Sequence, residues 1–251
     1  MDNSAALDEL RKRSADPDRK LLLRGVTVLS MDTEVGDLEE ADVLVEGRRI
    51  EAIAPRLDVA DEDVLVLELP GHVAIPGLQD THRHCWQTQL RRMFVDIDGL
   101  EGYVDKVHRK IAPCYTPDDM RLGSLLAGLG ALDAGITSIL DFSHNSRSKA
   151  HSDGAIEGWV ESGIRAVHAS CGPVLGDWEG QWPGDLERLQ ERHFSSEDQL
   201  VTLRMGLLTP QIPGVGEHLE VTREHLEIGR GLGLKITVDA VFGEMAAGRL
   251  R

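Results

Sequence analysis

The 251-residue chain has 41% hydrophobic residues and a formal net charge of −16 at pH 7, which is typical of a globular protein. A nucleic-acid partner is disfavoured, because binding to a phosphate backbone uses clustered lysine and arginine to displace counterions. Nowhere do about 18 apolar residues run together, as a membrane-spanning helix requires. We therefore expect neither nucleic-acid nor membrane binding.

Three cysteines, Cys85, Cys114 and Cys171, give an odd number without a C-x-x-C spacing. This excludes a disulfide framework and a paired-cysteine zinc pattern. The N-terminus carries mixed charge and lacks the apolar stretch of a secretory signal. These features favour a reducing compartment, and we predict a cytoplasmic protein.

The first part of the chain predicts a small β unit. Residues 1–20 are polar, with a short possible helix near Leu7–Arg13, and are predicted to form a solvated tail. Short apolar segments follow at 21–30, 41–55 and 63–71, separated by turns rich in Gly, Asp and Glu, and predict strands. Within the second segment, "VEGRRI" indicates a tight hairpin built on Gly47. We predict a small antiparallel β-sandwich portion over 21–72.

From residue 73 to 251, strand-like segments alternate with helical ones, which is typical of a parallel sheet built from βαβ units. One helix, 116–135, has clear start signals: Thr116 as N-cap, Pro117 at the first position, then Asp118 and Asp119. The predicted strands are 72–80, 136–142, 164–170, 200–207 and 234–240, and the other predicted helices are 150–163, 185–193 and 216–233.

The first of these strands is followed by neither G-x-G-x-x-G nor G-x-x-x-x-G-K-[ST], so a nucleotide-binding open sheet loses its sequence support. A (β/α)8 barrel is favoured, yet a complete one has eight strands in about 250 residues. We predict an α/β fold with a partial TIM-like barrel of about five strands after the β-sandwich portion. Because five strands cannot close, we expect a truncated chain that forms a homo-oligomer or needs a complementing C-terminal chain.

Two histidines, His82 and His84, stand one residue apart in "GLQDTHRHCWQTQL", at the end of the first barrel strand. Residues i and i+2 of a strand point to the same face, so both imidazoles can bind one metal ion. Barrel active sites lie at this end of the strands. The alternative, two polar residues in an ordinary loop, stays open on this pair alone.

Three segments carry a resemblance to a known family: "VLVEGRRIEAIAP", "VLELPGHVAIPGLQDTHRHCWQTQLR" and "GITSILDFSHN". Their order and spacing are similar to the amidohydrolase superfamily, in particular its cytosine-deaminase, chlorohydrolase and ATZ/TRZ branch. The resemblance covers about residues 21–240. It implies a metal-dependent hydrolase or deaminase acting on non-peptide carbon–nitrogen bonds, in which zinc or iron lowers the pKa of a water molecule.

The resemblance implies that His82 and His84 are metal ligands. Where the family carries a histidine at the end of the fifth strand, this chain has Asp239, whose carboxylate also suits zinc or iron. The position of a family general-acid glutamate is Phe242 here, and Glu244 would need a different backbone path. The fourth strand lacks a lysine for a second metal. The sixth-strand histidine and eighth-strand aspartate have no counterpart, so the catalytic residues stay unassigned.

The resemblance places Trp86, Gln87 and Arg91 where the family lines its pocket for a small, possibly heterocyclic substrate. A packing role for Trp86 is an equal alternative. His144, at the end of the second strand, contacts substrate or is a satisfied turn histidine. The remaining histidines and cysteines of interest are predicted to be structural or solvated: Cys85, His168 and Cys171 structural, and His108, His193, His218 and His225 solvated.

The preferred hypothesis is a metal-dependent hydrolase. The first alternative is a non-catalytic or fragmentary homologue that binds a ligand or needs a second chain, which Asp239 in place of histidine favours. The second alternative is an open α/β domain that oligomerises as a structural partner.

Overall fold

The computed structural model describes residues 3–14, 16–60, 63–93, 96–196, 198–210 and 212–240. The chain divides into two compact units, Met1–Pro76 and Gly77–Arg251. Within the described residues, no helix is both long and apolar enough to span a membrane.

The first unit contains a helix and a five-stranded sheet. Its elements are α1 (Ser4–Lys12), β1 (Lys20–Leu29), β2 (Asp37–Glu46), β3 (Arg49–Ala54), β4 (Leu65–Glu68) and β5 (Val73–Ala74). The strands β1, β2 and β3 form an antiparallel meander, whereas β4 and β5 pair with β1 in parallel. The sheet is therefore mixed, because the chain crosses back after β3 to the free side of β1.

The hairpin predicted at Gly47 is confirmed. Glu46 pairs with Arg49 across the turn, and Gly47 has a φ of +56°, which glycine adopts without steric cost. The N-terminal segment is tied to this sheet: the Asn3 amide donates to the Glu68 carbonyl (2.9 Å) and accepts from the Glu68 N–H (3.0 Å). The segment predicted as a tail thus includes a helix anchored beside β4, although most of α1 is exposed.

The second unit is built on five parallel strands in the order β10-β9-β8-β7-β6. This confirms the predicted partial barrel, which we call the half-barrel. The strands are β6 (Leu78–Arg83), β7 (Ile136–Ser143), β8 (Arg165–Ser170), β9 (Val201–Leu208) and β10 (Lys235–Asp239). The α-helices are α2 (Gly99–Tyr103), α3 (Pro117–Asp133), α4 (Lys149–Ser162), α5 (Asp185–His193) and α6 (Arg223–Gly231). A π-helix (Val104–Ile111) and 3₁₀ turns (Cys85–Leu90, Ala112–Cys114, Glu217–Leu219) complete these elements.

The strand predicted at 72–80 is two strands. Val73–Ala74 pairs with β1, whereas Leu78–Arg83 pairs with β7. Pro76 lacks a backbone N–H and so interrupts the ladder between them. Gly77 lets the backbone approach Thr137 closely, since a Cβ there would lie 2.1 Å from the Thr137 Oγ1. The break lets β6 begin a separate sheet.

Helix α3 begins as predicted. The Asp119 N–H donates to Thr116 Oγ1 (3.2 Å) and the Thr116 N–H donates to Asp119 Oδ2 (2.8 Å), which together form a capping box. The prediction of one continuous helix over 216–233 is wrong, because a 3₁₀ turn (Glu217–Leu219) and α6 (Arg223–Gly231) are separate elements there. The Thr222 hydroxyl accepts from the His225 N–H (3.1 Å) and begins α6 there, because a threonine N-cap within the periodic segment starts a new helix.

Candidate metal centre

The ends of β6 and β10 bring His82, His84 and Asp239 together. Asp239 Oδ2 lies 3.6 Å from the Nε2 atoms of both histidines, and one donor atom from each residue lies within 4.8 Å of the others. β6 and β10 are the two edges of the sheet. Four strand spacings would separate them by about 19 Å in a flat sheet, so the contact requires the sheet to curl.

The donor set fits a divalent metal in chemistry and spacing. Zinc binds imidazole nitrogen and carboxylate oxygen at about 2.0–2.2 Å, so tetrahedral donors lie about 3.4 Å apart. The two nitrogen–oxygen separations of 3.6 Å are close to that value. The side chain of His82 is 48% exposed, whereas Asp239 is buried, so the cluster is open to solvent on the His82 side.

The orientation of His84 favours a cation in this position. Its Nδ1 lies 3.1 Å from the Phe142 carbonyl, which can only accept, so Nδ1 carries the proton and Nε2 has the lone pair. Burial lowers the pKa of His84, which keeps the imidazole neutral. The Nε2 lone pair then faces the Asp239 carboxylate, and two acceptors at this distance repel unless a cation lies between them.

A cavity of about 480 Å³ borders the cluster. Its polar lining residues are His84, Tyr103, His108, His144, Thr209 and Asp239, and its larger apolar lining residues are Leu100, Val104, Val174, Leu208, Pro210, Ile212 and Val215. A mostly apolar wall with a few polar groups and a volume of roughly 300–1,000 Å³ is the usual form of a small-molecule site. The cavity therefore suits a small ligand next to the three donor atoms.

Of the residues predicted to bind substrate, His144 lines this cavity. Trp86 is 1% exposed and packs in a cluster with Val107 and Met120, so the packing alternative describes it better than direct lining. Gln87 donates to the Tyr103 hydroxyl, and Tyr103 lines the cavity. Arg91 is exposed and does not belong to the described lining.

The sequence interpretation missed His108. It was predicted to be solvated, but it is 4% exposed and lines the cavity from the π-helix. Burial lowers its pKa to about 3. Val104 and Val107, four and one residues before it, are buried too and mark an inward face at helical spacing. π-helical turns are frequent at functional sites, and this one adds an uncharged imidazole to the cavity wall.

Of the other histidines predicted to be solvated, His218 is exposed as predicted and His193 and His225 are partly buried, and each of the three has a partner. His193 lies 2.8 Å from Asp153, the His218 ring packs on Trp178, and His225 contacts the Glu220 carbonyl at 2.7 Å. These contacts fix loops and helices around the half-barrel. Phe242 and Glu244 lie outside the described residues.

The predicted structural residues are buried in the protein interior. Cys85 and Cys171 are fully buried, and burial raises the pKa of both thiols well above the usual range. His168 lies 3.5 Å from Asp141, and both side chains are 0% exposed. Asp141 accepts from the Cys85 N–H (3.0 Å) and from the Trp159 indole N–H (3.3 Å).

Comparison with known proteins finds relatives in sequence and in structure. No family model matches the chain. It is 26% identical over 227 residues to a 5'-deoxyadenosine deaminase of Methanosarcina mazei, covering 83% of this chain and 50% of that protein. It is 33% identical over 152 residues to a 5-methylthioadenosine/S-adenosylhomocysteine deaminase of Symbiobacterium thermophilum, covering 59% of this chain and 34% of that protein.

The fold is similar to that of atrazine chlorohydrolase TrzN from Arthrobacter aurescens, whose structure was determined in complex with zinc. The TM-score is 0.72 at 21% identity, covering 92% of this chain and 55% of that one. The chain thus spans about half the length of the Methanosarcina deaminase and of this chlorohydrolase. The chain is therefore similar in sequence to deaminases and shares its fold with this chlorohydrolase.

Proposed function

We propose that the chain carries the metal-binding part of a metal-dependent hydrolase that acts on non-peptide carbon–nitrogen bonds, of the amidohydrolase or deaminase type. The observation that carries the proposal is the convergence of His82 Nε2, His84 Nε2 and Asp239 Oδ2 beside the cavity of about 480 Å³. The relatives named as deaminases support the reaction type.

In this proposal, His82, His84 and Asp239 hold a divalent ion. Such an ion supplies Lewis-acid polarisation and makes hydroxide available near neutral pH. Zinc is the first metal to test, because the chlorohydrolase with the same fold is described with zinc; iron is the other metal that the donor set suits. The Phe142 carbonyl holds His84 in its metal-binding tautomer.

The cavity defines the substrate class that we propose. Among its described lining residues, Asp239 is the single acidic group and none is lysine or arginine. The three lining histidines have lowered pKa values because burial disfavours their charged forms. We therefore propose a small uncharged heterocyclic substrate that contacts His144, His108 and Tyr103, with Gln87 supporting Tyr103.

Metal content tests the proposal. Metal-free protein is incubated with one equivalent of zinc, freed of unbound metal, and analysed by mass spectrometry together with His82→Ala and His84→Ala. The control is His72→Ala, an exposed histidine of the first unit outside the cluster. We expect zinc near one per chain in the wild type and the control, and a loss in both cluster variants. Absence of zinc from the wild type, together with absence of iron from a parallel sample incubated with one equivalent of iron(II), would refute the metal site.

Turnover is a separate test of the reaction. Ammonia release is measured from a panel of amino-substituted purines, pyrimidines and triazines, with zinc-loaded protein. A metal-binding chain without turnover would favour the second candidate, a non-catalytic homologue that binds a ligand. One observation favours that candidate: Asp239 stands where the resembled family carries a histidine, so the donor set differs from that of the family.

We also propose that the half-barrel associates with another chain. Among the described strands, β6 and β10 each have a partner on one side only, and such strand edges recruit further strands. The partner is a second copy or a complementing chain, and sedimentation mass distinguishes a homo-oligomer from a monomer. The free cysteines support a reducing compartment, and a cytoplasmic location is the corresponding proposal.

A further inference from the structure

The side chain of His144 meets an indole on one side and the cavity on the other. Trp86 Nε1 donates a hydrogen bond to His144 Nδ1 over 3.3 Å. Trp86 is 1% and His144 is 4% exposed, so water does not compete freely for this bond. The two residues are 58 positions apart in the chain, and the contact joins the turn after β6 to the end of β7.

An indole N–H can only donate a hydrogen bond. The nitrogen that accepts from it must carry a lone pair, so the neutral His144 ring has its proton on Nε2. The other neutral tautomer and the imidazolium would each place an N–H against the indole N–H. The contact therefore selects one tautomer by geometry.

From this contact we infer that Trp86 fixes His144 as the Nε2–H tautomer, so that His144 presents a hydrogen-bond donor to the cavity and selects ligands with an acceptor atom. This inference rests on the proposed function for its ligand and deepens it, because it names the chemical feature that the ligand must carry. Trp86 is the positioning residue and His144 is the group that touches the ligand.

The surroundings of the His144 ring support a free donor. Among the described residues, the side-chain partner of this ring is the Trp86 indole, and the carbonyl of His144 itself also lies within reach of the ring. The neighbouring rings, His84 at 4.2 Å and His108 at 5.0 Å between centroids, also border the cavity. His168 differs, since both of its ring nitrogens are buried without a hydrogen-bond partner and it does not belong to the described cavity lining.

The ligand class follows from the donor and the wall around it. Val174, Leu208 and Val215 give the cavity an apolar lining, which accepts a flat uncharged ring system. A buried N–H donor that finds no acceptor costs free energy. A ring nitrogen or a carbonyl oxygen on such a ligand satisfies it, whereas a pure hydrocarbon ring leaves it unpaired. We therefore assign neutral heterocycles with an acceptor atom facing the end of β7.

The first test needs neither ligand nor metal. Nitrogen-15 NMR on metal-free, histidine-labelled protein of all 251 residues at pH 7 reports which nitrogen of His144 carries the proton, with His144→Gln used to assign its signals. We expect a single neutral Nε2–H form in the wild type and a mixture of forms in Trp86→Phe. An Nδ1–H form or an imidazolium in the wild type would overturn the inference.

The second test measures ligand choice on the same metal-free protein, with isoquinoline and naphthalene as probes of equal shape that differ in one acceptor nitrogen. We expect the preference for isoquinoline, measured as the ratio of the two Kd values, to fall about five- to tenfold in His144→Phe. An unchanged ratio would contradict a donor role for His144. Should His144→Phe fail to fold, the wild-type spectrum still decides the tautomer.

These tests separate the inference from the proposed function. A protein that binds no metal and turns nothing over refutes the hydrolase but leaves the His144 tautomer measurable. A metal-binding protein with the wrong tautomer refutes this inference and leaves the metal centre intact.

Discussion

Two clusters of histidine and aspartate lie on the half-barrel, and they differ in what surrounds the charges. In one, Asp239 lies 3.6 Å from His82 and His84 beside an open cavity. In the other, Asp141 lies 3.5 Å from His168 with both side chains fully buried. Asp141 accepts from two protein N–H donors, whereas the Asp239 carboxylate faces a histidine lone pair. Similar distances thus give a structural contact in one place and a candidate ligand set in the other.

The largest expected effect is on the unfolding free energy, which should depend more on Asp141 than on Asp239. Asp141→Ala leaves the Cys85 N–H and the Trp159 indole without an acceptor in the interior, and we expect a loss of about 3 kcal/mol or more in unfolding free energy. Urea denaturation of the metal-free protein measures it, with Asp239→Ala as the matched variant. Equal losses in both variants would remove the distinction between the clusters.

The next effect separates the histidines by metal affinity. Removal of a direct ligand in His84→Ala should weaken zinc binding by more than about 100-fold, beyond the 10- to 100-fold typical of losing an outer partner. His168→Gln, in the buried cluster, should leave zinc affinity unchanged. Competition with a chromogenic chelator measures both values, on samples whose folding is checked by circular dichroism. If His168→Gln weakened zinc binding and His84→Ala did not, the metal site would lie at the buried cluster of Asp141 and His168 instead.

A smaller effect concerns the pH dependence of stability. Burial lowers the pKa of His108 to about 3. When the pH is below the ordinary histidine pKa of about 6.5, His108 therefore binds a proton in the unfolded chain but stays neutral in the folded chain. The stability associated with neutral His108 is therefore complete above about pH 6.5 and falls as the pH drops, by about 2 kcal/mol between pH 6.5 and 5.

His108→Phe should reduce the loss of unfolding free energy between pH 6.5 and 5. Urea midpoints at pH 6.5 and 5 for the wild type and the variant measure the difference. The same acid sensitivity in both proteins would show that His108 is protonated or solvated in the folded state.

The smallest expected effect is on ligand affinity, and it distinguishes Gln87 from Arg91. Gln87→Ala removes the hydrogen bond to Tyr103 and should weaken isoquinoline binding about two- to fivefold, because Tyr103 lines the cavity. Arg91→Ala, on an exposed residue outside the described lining, should leave that Kd unchanged. A larger effect in Arg91→Ala would restore Arg91 as a ligand contact.

Local sequence patterns predicted the features that depend on neighbouring residues. The spacing of His82 and His84, the capping box at Thr116 and the turn at Gly47 each follow from short-range geometry, and the alternation of strands and helices predicted the parallel sheet. Asp239 was reached through the family resemblance, because its proximity to β6 depends on the curl of the whole sheet.

Features that depend on contacts distant in sequence were missed. The Trp86 and His144 bond spans 58 positions and the Asn3 and Glu68 bonds span 65, and no local pattern indicates either. His108 was assigned to a solvated helix because charged neighbours dominate its segment, although Val104 and Val107 marked the buried face. Long-range packing, which decides the direction of each side chain, was the missing information.

The most direct measurement is X-ray absorption at the zinc edge on protein loaded with one equivalent of zinc. We predict nitrogen and oxygen neighbours at about 2.0–2.2 Å with the scattering pattern of two imidazoles, and loss of that pattern in His82→Ala. Sulfur neighbours at about 2.3 Å, or an unchanged spectrum in the variant, would contradict a centre made of His82, His84 and Asp239.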